Sequence, residues 1–275
     1  LDGSSIGTNS DMEGNFTCQD YGGLSVFSYN TIYGNTVLSD STGRMEQSST
    51  NFNNFYGNLT FINNSDYGNN YLSNASPLYD FVEGDLTVIN NSTANISVGL
   101  GGGRPLKVQG NFIVDASSGL VDINNLTFVG GTFNPHTTQL GSNPIRINNL
   151  FMESGAETRL DQNVEINNSL VFDNGSNKIN TTATALLILN SGATVTRDPA
   201  NNRGFINGPL KKRGNQAFTF PVGKYEFQYG GDNYGPLSIS APVNATDEFT
   251  AEYFHHSPGN EGYDTSLYSP GFGGI

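Results

Sequence analysis

Tryptophan is absent from this chain, cysteine occurs once, and charged residues make up only 13% of the 275 residues. The single Cys18 excludes a disulfide within the chain, and we expect it to be a small buried core residue. Lysine and arginine number 12 against 25 Asp and Glu, a net charge of -13 that makes nucleic acid an unfavourable partner. No apolar run is long enough to span a membrane as a helix, so we expect no transmembrane segment.

Recognisable catalytic motifs are also missing from the sequence. There is no Gly-x-Ser-x-Gly elbow, phosphate loop or zinc motif, and the three histidines lack metal-ligand spacing. One charged cluster resembles the acid, base and arginine sets of β-helical polysaccharide enzymes: Arg146, Glu153, Glu157, Arg159, Asp161 and Glu165. Solvated strands alternate charges without catalysis, so we predict no enzymatic activity and keep a polysaccharide-active β-helix enzyme as the alternative.

What the chain does contain is a recurring phrase, in which Gly or Asn and then Asn or Asp precede alternating apolar residues. Successive anchors from Asn58 to Asp85, Asp85 to Asn111, Asn125 to Asn149 and Asn149 to Asn168 are 27, 26, 24 and 19 residues apart. Periods of this size are typical of stacked repeats. The phrases begin at Gly14, Gly57, Gly84, Gly110, Asn124, Asn148 and Asn167.

These repeats predict an all-β fold built as a parallel β-solenoid over residues 1–203, with irregular repeats of 19–27 residues. Each unit holds too few apolar residues to form a core alone and must bury its inner face against its neighbours. Leu59-Thr60-Phe61 and Leu86-Thr87-Val88 have the period of a strand with one buried face. Asn and Gly suit the corners, where stacked Asn side chains could also form amide ladders.

After residue 203 the sequence pattern changes to short segments of alternating apolar and polar residues, separated by Gly, Pro and Asn turns. We predict that residues 204–275 form a β-sandwich-like module. Its inward residues would be Phe218, Phe220, Val222, Leu237, Ile239, Phe249, Ala251 and Tyr253. About four strands are too few to close a sandwich, so we expect the module to pair with further sequence or with another chain.

Residues 204–256 also carry a family resemblance. Gly208-Pro209-Leu210-Lys211-Lys212-Arg213-Gly214, then Phe218-Thr219-Phe220-Pro221-Val222-Gly223 and Phe249-Thr250-Ala251-Glu252-Tyr253-Phe254, resemble a module of large secreted surface proteins of Bacteroidota. Those proteins resemble gliding-motility adhesins and other type IX secretion substrates, in which the module follows a β-helical stretch. The resemblance implies an extracellular, cell-surface location and a role in adhesion, with surface glycans or other cell-surface proteins as partners.

The first part of the chain is strongly acidic. Up to Gly103 the one cation is Arg44, against ten acidic residues: Asp2, Asp11, Glu13, Asp20, Asp40, Glu46, Asp66, Asp80, Glu83 and Asp85. Solubility is the ordinary reason for such charge. Calcium is an alternative, because carboxylate and amide oxygens are its ligands, and Asp173-Asn174-Gly175-Ser176-Asn177 is the candidate loop.

Aromatic residues crowd the first third of the chain among Asn and Ser. Exposed tyrosines can stack on sugars and hydrogen-bond their hydroxyls, so glycan binding is one use, with the candidates Tyr29, Tyr33, Tyr56, Tyr67 and Tyr71. Capping and filling of the solenoid is the other, and we favour it for most aromatics of this region. We therefore predict an extracellular structural or adhesive segment of a surface protein or fibre; a self-assembling filament subunit is a further alternative.

Overall fold

The computed structural model describes most of the chain between residues 6 and 255. The described ranges are 6–21, 25–40, 45–47, 52–64, 71–72, 79–98, 106–116, 118–130, 136–140, 143–153, 155–173, 175–197, 204–226 and 231–255. In these ranges every regular element is a β-strand.

The strands are short, from two to nine residues. In chain order they are β1 (Ile6–Met12), β2 (Phe16–Tyr21), β3 (Ser25–Ile32), β4 (Thr36–Asp40), β5 (Met45–Gln47), β6 (Asn54–Phe55), β7 (Leu59–Asn63), β8 (Tyr71–Leu72), β9 (Phe81–Val82), β10 (Leu86–Asn90), β11 (Ile96–Val98), β12 (Leu106–Val108), β13 (Phe112–Asp115), β14 (Val121–Val129), β15 (His136–Leu140), β16 (Ile145–Glu153), β17 (Glu157–Leu160), β18 (Val164–Phe172), β19 (Lys178–Asn180), β20 (Leu187–Leu189), β21 (Thr194–Arg197), β22 (Phe205–Asn207), β23 (Leu210–Arg213), β24 (Phe218–Phe220), β25 (Val222–Glu226), β26 (Gly231–Tyr234), β27 (Leu237–Ile239) and β28 (Glu248–Ala251).

Two long sheets contain nearly all of these strands. The first has fifteen strands, in the order β11-β8-β5-β3-β6-β9-β12-β14-β16-β18-β20-β23-β28 with β1 beside β3 and β21 beside β18. The second has eleven, in the order β2-β4-β7-β10-β13-β15-β17-β19-β22-β25-β26. Neighbours are parallel until the last strand of each sheet, and the chain returns to each sheet once per turn, one rung further along. This is the predicted parallel β-solenoid.

The core consists of side chains at equivalent positions of successive strands, stacked in register. Leu59 pairs in register with Leu86, and Phe61 with Val88, while all four side chains are buried. In the other sheet Leu126 and Phe128 pair with Leu150 and Met152, which are also buried. The predicted inward stacking of these pairs is confirmed. Cys18 is buried in the same core, as expected.

One part of the repeat assignment was wrong. The Gly-Asn phrases lie at the start of second-sheet strands, whereas the Asn-Asn phrases lie inside long first-sheet strands such as β14 and β16. The Gly-Asn series therefore continues from Asn111 to His136, and it includes Gly34-Asn35. Register steps in the second sheet range from 16 residues, between Ile206 and Val222, to 27, between Leu59 and Leu86.

A column of glycines explains the first half of the Gly-Asn phrase. A Cβ on Gly57 would lie 2.4 Å from the carbonyl oxygen of Gly34, and one on Gly84 would lie 2.7 Å from the Gly57 backbone. Successive rungs approach too closely at this corner for any side chain. Glycine is thus required by backbone contact between rungs.

A ladder of amides explains the second half. The side-chain oxygen of Asn15 accepts the backbone N–H of Asn35 at 2.9 Å, and Asn35 does the same for Asn58 at 3.0 Å. The series continues through Asp85 and Asn111 to the backbone N–H of His136. Each rung therefore satisfies one corner donor of the next rung, which is the ladder that the repeated Asn predicts.

A second ladder follows the Asn-Asn phrases. The Asn148 amide donates to Asn124 at 2.7 Å, Asn167 donates to Asn148, and Asn190 donates to Asn167. Arg213 closes the series by donating to Asn190 at 3.1 Å. In β16 the inward phase shifts by one residue between Ile147 and Leu150, whereas in β18 Ile166 and Leu170 keep one phase, and the register between the two strands shifts at this point.

The predicted β-sandwich at residues 204–275 is not confirmed. β22, β23 and β25 extend the two sheets in parallel, without a break at residue 204. Antiparallel pairing begins with β26 on β25, β28 on β23, and the separate pair β24 and β27. Because alternation looks the same in parallel and antiparallel strands, the sequence could not distinguish the two arrangements. The division into residues 1–203 and 204–275 remains a prediction.

We call β26 and β28 the antiparallel cover, because each lies along the last parallel strand of its sheet. Of the predicted inward residues, Phe220, Val222 and Ala251 are buried, and Phe218, Ile239 and Tyr253 pack partly against the core. Leu237 and Phe249 are instead 52% and 38% exposed, which corrects their predicted inward position. Some apolar side chains are therefore exposed in this region.

Candidate functional site

Three neighbouring strands place aromatic side chains on the outside of the first sheet. In β3, β6 and β9 the buried positions alternate with outward ones, and the residues directly beside each strand continue the alternation. Tyr33, Phe52, Asn54, Tyr56, Tyr79 and Phe81 take the outward positions. We call these six residues the aromatic surface.

Buried polar contacts hold the three rungs beneath the aromatic surface in register. The Asn53 side-chain oxygen accepts the backbone N–H of Asn30 at 3.0 Å, and Asp80 accepts the backbone N–H of Asn53 at 2.6 Å. All three residues are buried, so these hydrogen bonds are shielded from water. The strands that carry the outward aromatics are therefore fixed relative to one another.

Tyr33 and Tyr56 form a stacked pair on consecutive rungs. Their ring centroids are 5.1 Å apart and the ring planes differ by 7°. The side chains are 52% and 43% exposed, so neither serves as core filling. Each ring covers one face of the other, and about half of each side chain remains accessible to solvent.

The Tyr79 ring contacts Lys107, a cation that also forms an ion pair with Glu153. The Lys107 Nζ lies 4.1 Å from the Tyr79 ring centroid and 2.6 Å from Oε2 of Glu153. Glu153 lies two strands further along the sheet, so the ion pair crosses β14. Lys107 is thus held between an aromatic face and a carboxylate at the border of the surface.

No family model, curated protein or solved structure shows significant similarity to the chain.

The structure describes the side chains of two of the five predicted glycan-binding tyrosines. Tyr33 and Tyr56 are exposed and adjacent, as that use requires. Tyr67 lies outside the described residues, as do the side chains of Tyr29 and Tyr71, whose backbones belong to β3 and β8. Glycan binding by these residues remains a prediction.

Phe52, Tyr79 and Phe81 are not among the glycan-binding candidates predicted from the sequence. The available signal was the spacing of aromatics by two or four residues around each short strand, which puts them on one outward face. Phe55 lies between Phe52 and Tyr56 in sequence but in the opposite phase of the alternation, and it is buried. Filling of the core is therefore confirmed for Phe55 but not for the exposed tyrosines.

The charged residues of the enzyme alternative do not form one cluster, although Arg159 Nε lies 3.6 Å from Oδ1 of Asp161. Glu153 pairs with Lys107, and Glu165 pairs with Arg213 at 2.9 Å and with Arg146 at 3.9 Å. Glu157 and Arg159 lie on β17 in the other sheet, and Asp161 directly follows that strand. Glu157 accepts a hydrogen bond from Asn180 at 2.8 Å, and its other oxygen lies 3.7 Å from Lys178.

Asp161 has the most elaborate surroundings of this set. Its Oδ2 lies 3.0 Å from Nδ1 of His136 and accepts a hydrogen bond from the Thr138 hydroxyl at 2.9 Å. Burial would raise the pKa of the carboxyl, but the contacts with His136 and Thr138 outweigh it and hold that pKa below its usual range. The group is therefore a stable anion that binds its neighbours, which suits strand pairing.

The candidate calcium loop has a structural explanation for its last residue. The buried Asn177 amide donates to the carbonyl oxygens of Met152, at 3.0 Å, and Asp173, at 2.8 Å. Asn174 lies outside the described residues. Among the described residues no group of three or more His, Cys, Asp and Glu could hold a metal ion.

The described ranges also contain no helix long and apolar enough to cross a membrane.

Proposed function

We propose that the chain is an extracellular structural or adhesive segment of a cell-surface protein or fibre. The observation that supports this most directly is the aromatic surface, a set of exposed rings displayed on a stack of parallel rungs. Exposed aromatic clusters on monomers commonly mark interaction sites. Solenoids use such extended faces to bind ligands or partner proteins along their length.

The rungs under the aromatic surface make a firm support for adhesion. Their inward residues Ile32, Phe55 and Val82 are at most 1% exposed, and the Asn30–Asn53–Asp80 contacts lock the strands in register. A rigid display lowers the entropy lost on binding. The resemblance to Bacteroidota surface proteins agrees with this role and supplies the proposed location.

Bead retention tests the adhesive function. Beads coated with the folded chain are washed across surfaces that carry polysaccharides or extracellular proteins, and beads coated with heat-unfolded chain serve as the control. We expect retention of the folded-chain beads on at least one class of surface. Equal retention of both bead types on every surface would refute the adhesive role.

Labelling of cells tests the location. An antibody raised against the purified chain is applied to intact and to permeabilised cells that produce the full protein. We expect equal labelling of both, because the segment should lie outside the cell. Labelling that requires permeabilisation would contradict the proposed location.

A self-assembling filament subunit is the second candidate, and one observation favours it. Leu237 and Val243 near the antiparallel cover are 52% and 90% exposed. Apolar side chains of this size are a common element of subunit contacts. Sedimentation across a concentration series tests this candidate, which a monomer at all concentrations would exclude.

A further inference from the structure

We propose that the aromatic surface binds an extended, neutral polysaccharide chain that runs along the solenoid axis. This inference rests on the proposed adhesive function and names the class of ligand for the same site. Three features carry it: the spacing of the rungs, the arrangement of tall and short side chains, and the charge around the surface.

The spacing comes from strand geometry. Neighbouring parallel strands lie about 4.7–4.9 Å apart, and the Tyr33 and Tyr56 ring centroids, one rung apart, are separated by 5.1 Å. One hexose unit of an extended β-linked chain advances by a similar distance. A polysaccharide laid along the axis would therefore meet equivalent side chains at successive sugars.

The side chains form two aromatic columns with shorter groups between them. Tyr33 and Tyr56 form one column, and Phe52 and Tyr79 form the other, four residues away along the strand or about 13 Å. Between the columns lies Asn54, whose outward position is half-buried. Its neighbour in register on the next rung is Phe81.

This arrangement offers the two kinds of contact that a sugar ring uses. The exposed parts of the Tyr33–Tyr56 pair and the partly exposed Phe81 ring can pack against the C–H face of a hexose. The Tyr33 and Tyr56 hydroxyls and the Asn54 amide can exchange hydrogen bonds with sugar hydroxyls. Apolar rings with a few polar groups are the usual lining of a ligand site.

The charge around the surface selects against anionic chains. Glu83 follows Tyr56 in the same outward column, as the backbone N–H donations of Tyr56 to Ile32 and of Glu83 to Phe55 show. Lys107, at the border, is already paired with Glu153. Uronate or sulfate groups would thus be repelled by the Glu83 carboxylate, and Lys107 is not free to offset that repulsion. A neutral chain meets no such repulsion.

A cationic chain is less well matched than a neutral one. The Tyr79 ring, which would be a site for an amine, is occupied by Lys107 at 4.1 Å. Glu83, beside Tyr56, is the one outward carboxylate on the described parts of these three rungs, so a cationic chain would gain a single charge contact there. Neutral sugars use the rings and amide directly and need no counter-charge.

Calorimetric titration with soluble oligosaccharides tests the inference. The probes are neutral β-linked glucose and mannose oligomers of two to six units, uronate oligomers as anionic probes, and glucosamine oligomers as cationic ones. We expect neutral oligomers to bind, with affinity rising over the first few units and then levelling off. Their affinity should not change between low and high salt, because no charge pair contributes.

The double variant Tyr33→Ala/Tyr56→Ala should bind the neutral oligomers roughly tenfold more weakly, since losing a stacked ring and its hydrogen bonds is of order 1.4 kcal/mol. The matched control is Tyr225→Ala, which removes a similarly exposed tyrosine, 47% against 43% for Tyr56, outside the aromatic surface. Thermal melts of both variants check that the fold is intact.

The outcomes separate the inference from the proposed function. Binding only of anionic or cationic oligomers, or equal loss in the control variant, overturns the inference while adhesion to glycans stands. Bead retention on protein surfaces alone, with no oligosaccharide bound, also overturns it and leaves an adhesive segment. If the beads are not retained and no oligosaccharide binds, both the inference and the proposed function are refuted.

Discussion

The antiparallel cover is predicted to open when Glu248 loses its charge. This carboxylate holds β28 on the solenoid: Oε2 lies 2.9 Å from Nζ of Lys211, and Oε1 accepts a hydrogen bond from Nε of Arg213 at 2.7 Å. Within β28 the one buried residue is Ala251, so apolar packing contributes little to its attachment. Glu248→Gln removes both ion pairs and keeps the size of the side chain.

The expected magnitude is modest because the pairs are near water. The Glu248 side chain is 43% exposed. Exposed pairs contribute roughly 0.2–1 kcal/mol each, so the variant should weaken the local attachment of β28 by about 1 kcal/mol. That free energy corresponds to a roughly fivefold rise in the fraction of molecules with the cover open.

Hydrogen exchange followed by mass spectrometry measures this opening. Amides of β28 should exchange about fivefold faster in Glu248→Gln, while those of buried strands such as β10 should not change. Glu153→Gln, which removes the Lys107–Glu153 ion pair far from the cover, is the matched control. Unchanged exchange in β28, or an equal effect of the control, would show that the ion pairs do not hold the cover.

The attachment of β28 to the solenoid should also depend on pH. Hydrogen bonds from Lys211 and Arg213 hold the pKa of the Glu248 carboxyl below its usual range. Its stabilising contribution is therefore complete above the unfolded-state pKa and is lost as the pH falls through the folded-state pKa. Exchange in β28 should accelerate on acidification beyond the intrinsic rate change in the native chain, and less so in Glu248→Gln.

Three further predictions concern stability and catalysis. Thr36→Val should raise the free energy of unfolding by about 1 kcal/mol, because the buried Thr36 hydroxyl has no hydrogen-bond partner among the described residues; an unchanged denaturation midpoint would contradict this. Gly57→Ala should lower the free energy of unfolding by about 1–3 kcal/mol or more, because the new Cβ would clash with the Gly34 carbonyl. Gly14→Ala is the control and should change the free energy of unfolding little, because the space beside Gly14 is open. Equal effects of the two substitutions would refute the close contact between rungs as the cause. Neutral and acidic polysaccharides should not be cleaved; turnover that Arg159→Ala abolishes would restore the enzyme alternative.

The solenoid was predictable because stacking imposes one phase on every rung. Leu59 and Leu86 had to occupy the same inward position, and their 27-residue separation records one complete turn. Which corner a given Asn occupied was not predictable, since both corners use amides to satisfy donors of the next rung. Asn111 and Asn125 therefore looked like successive repeats although they lie in different sheets.

The site was predictable only in part, for a similar reason. Alternation tells which residues share a face, but it does not tell which face is inward when both carry aromatics. Phe55 and Tyr56 are neighbours in sequence, yet one is buried and the other is exposed. Tyr-Gly-Asn at residues 33–35 and 56–58 was the local signal that the tyrosine precedes a corner and points outward.

The unequal register steps, from 16 to 27 residues, have a consequence for how such a chain can change during evolution. The sheets keep their register whatever the length of the connection, so residues can be gained or lost between rungs without disturbing the core. New loops can therefore arise at the corners while the inward positions and amide ladders stay constrained. A lineage of such proteins would diverge in length and surface long before it lost its fold.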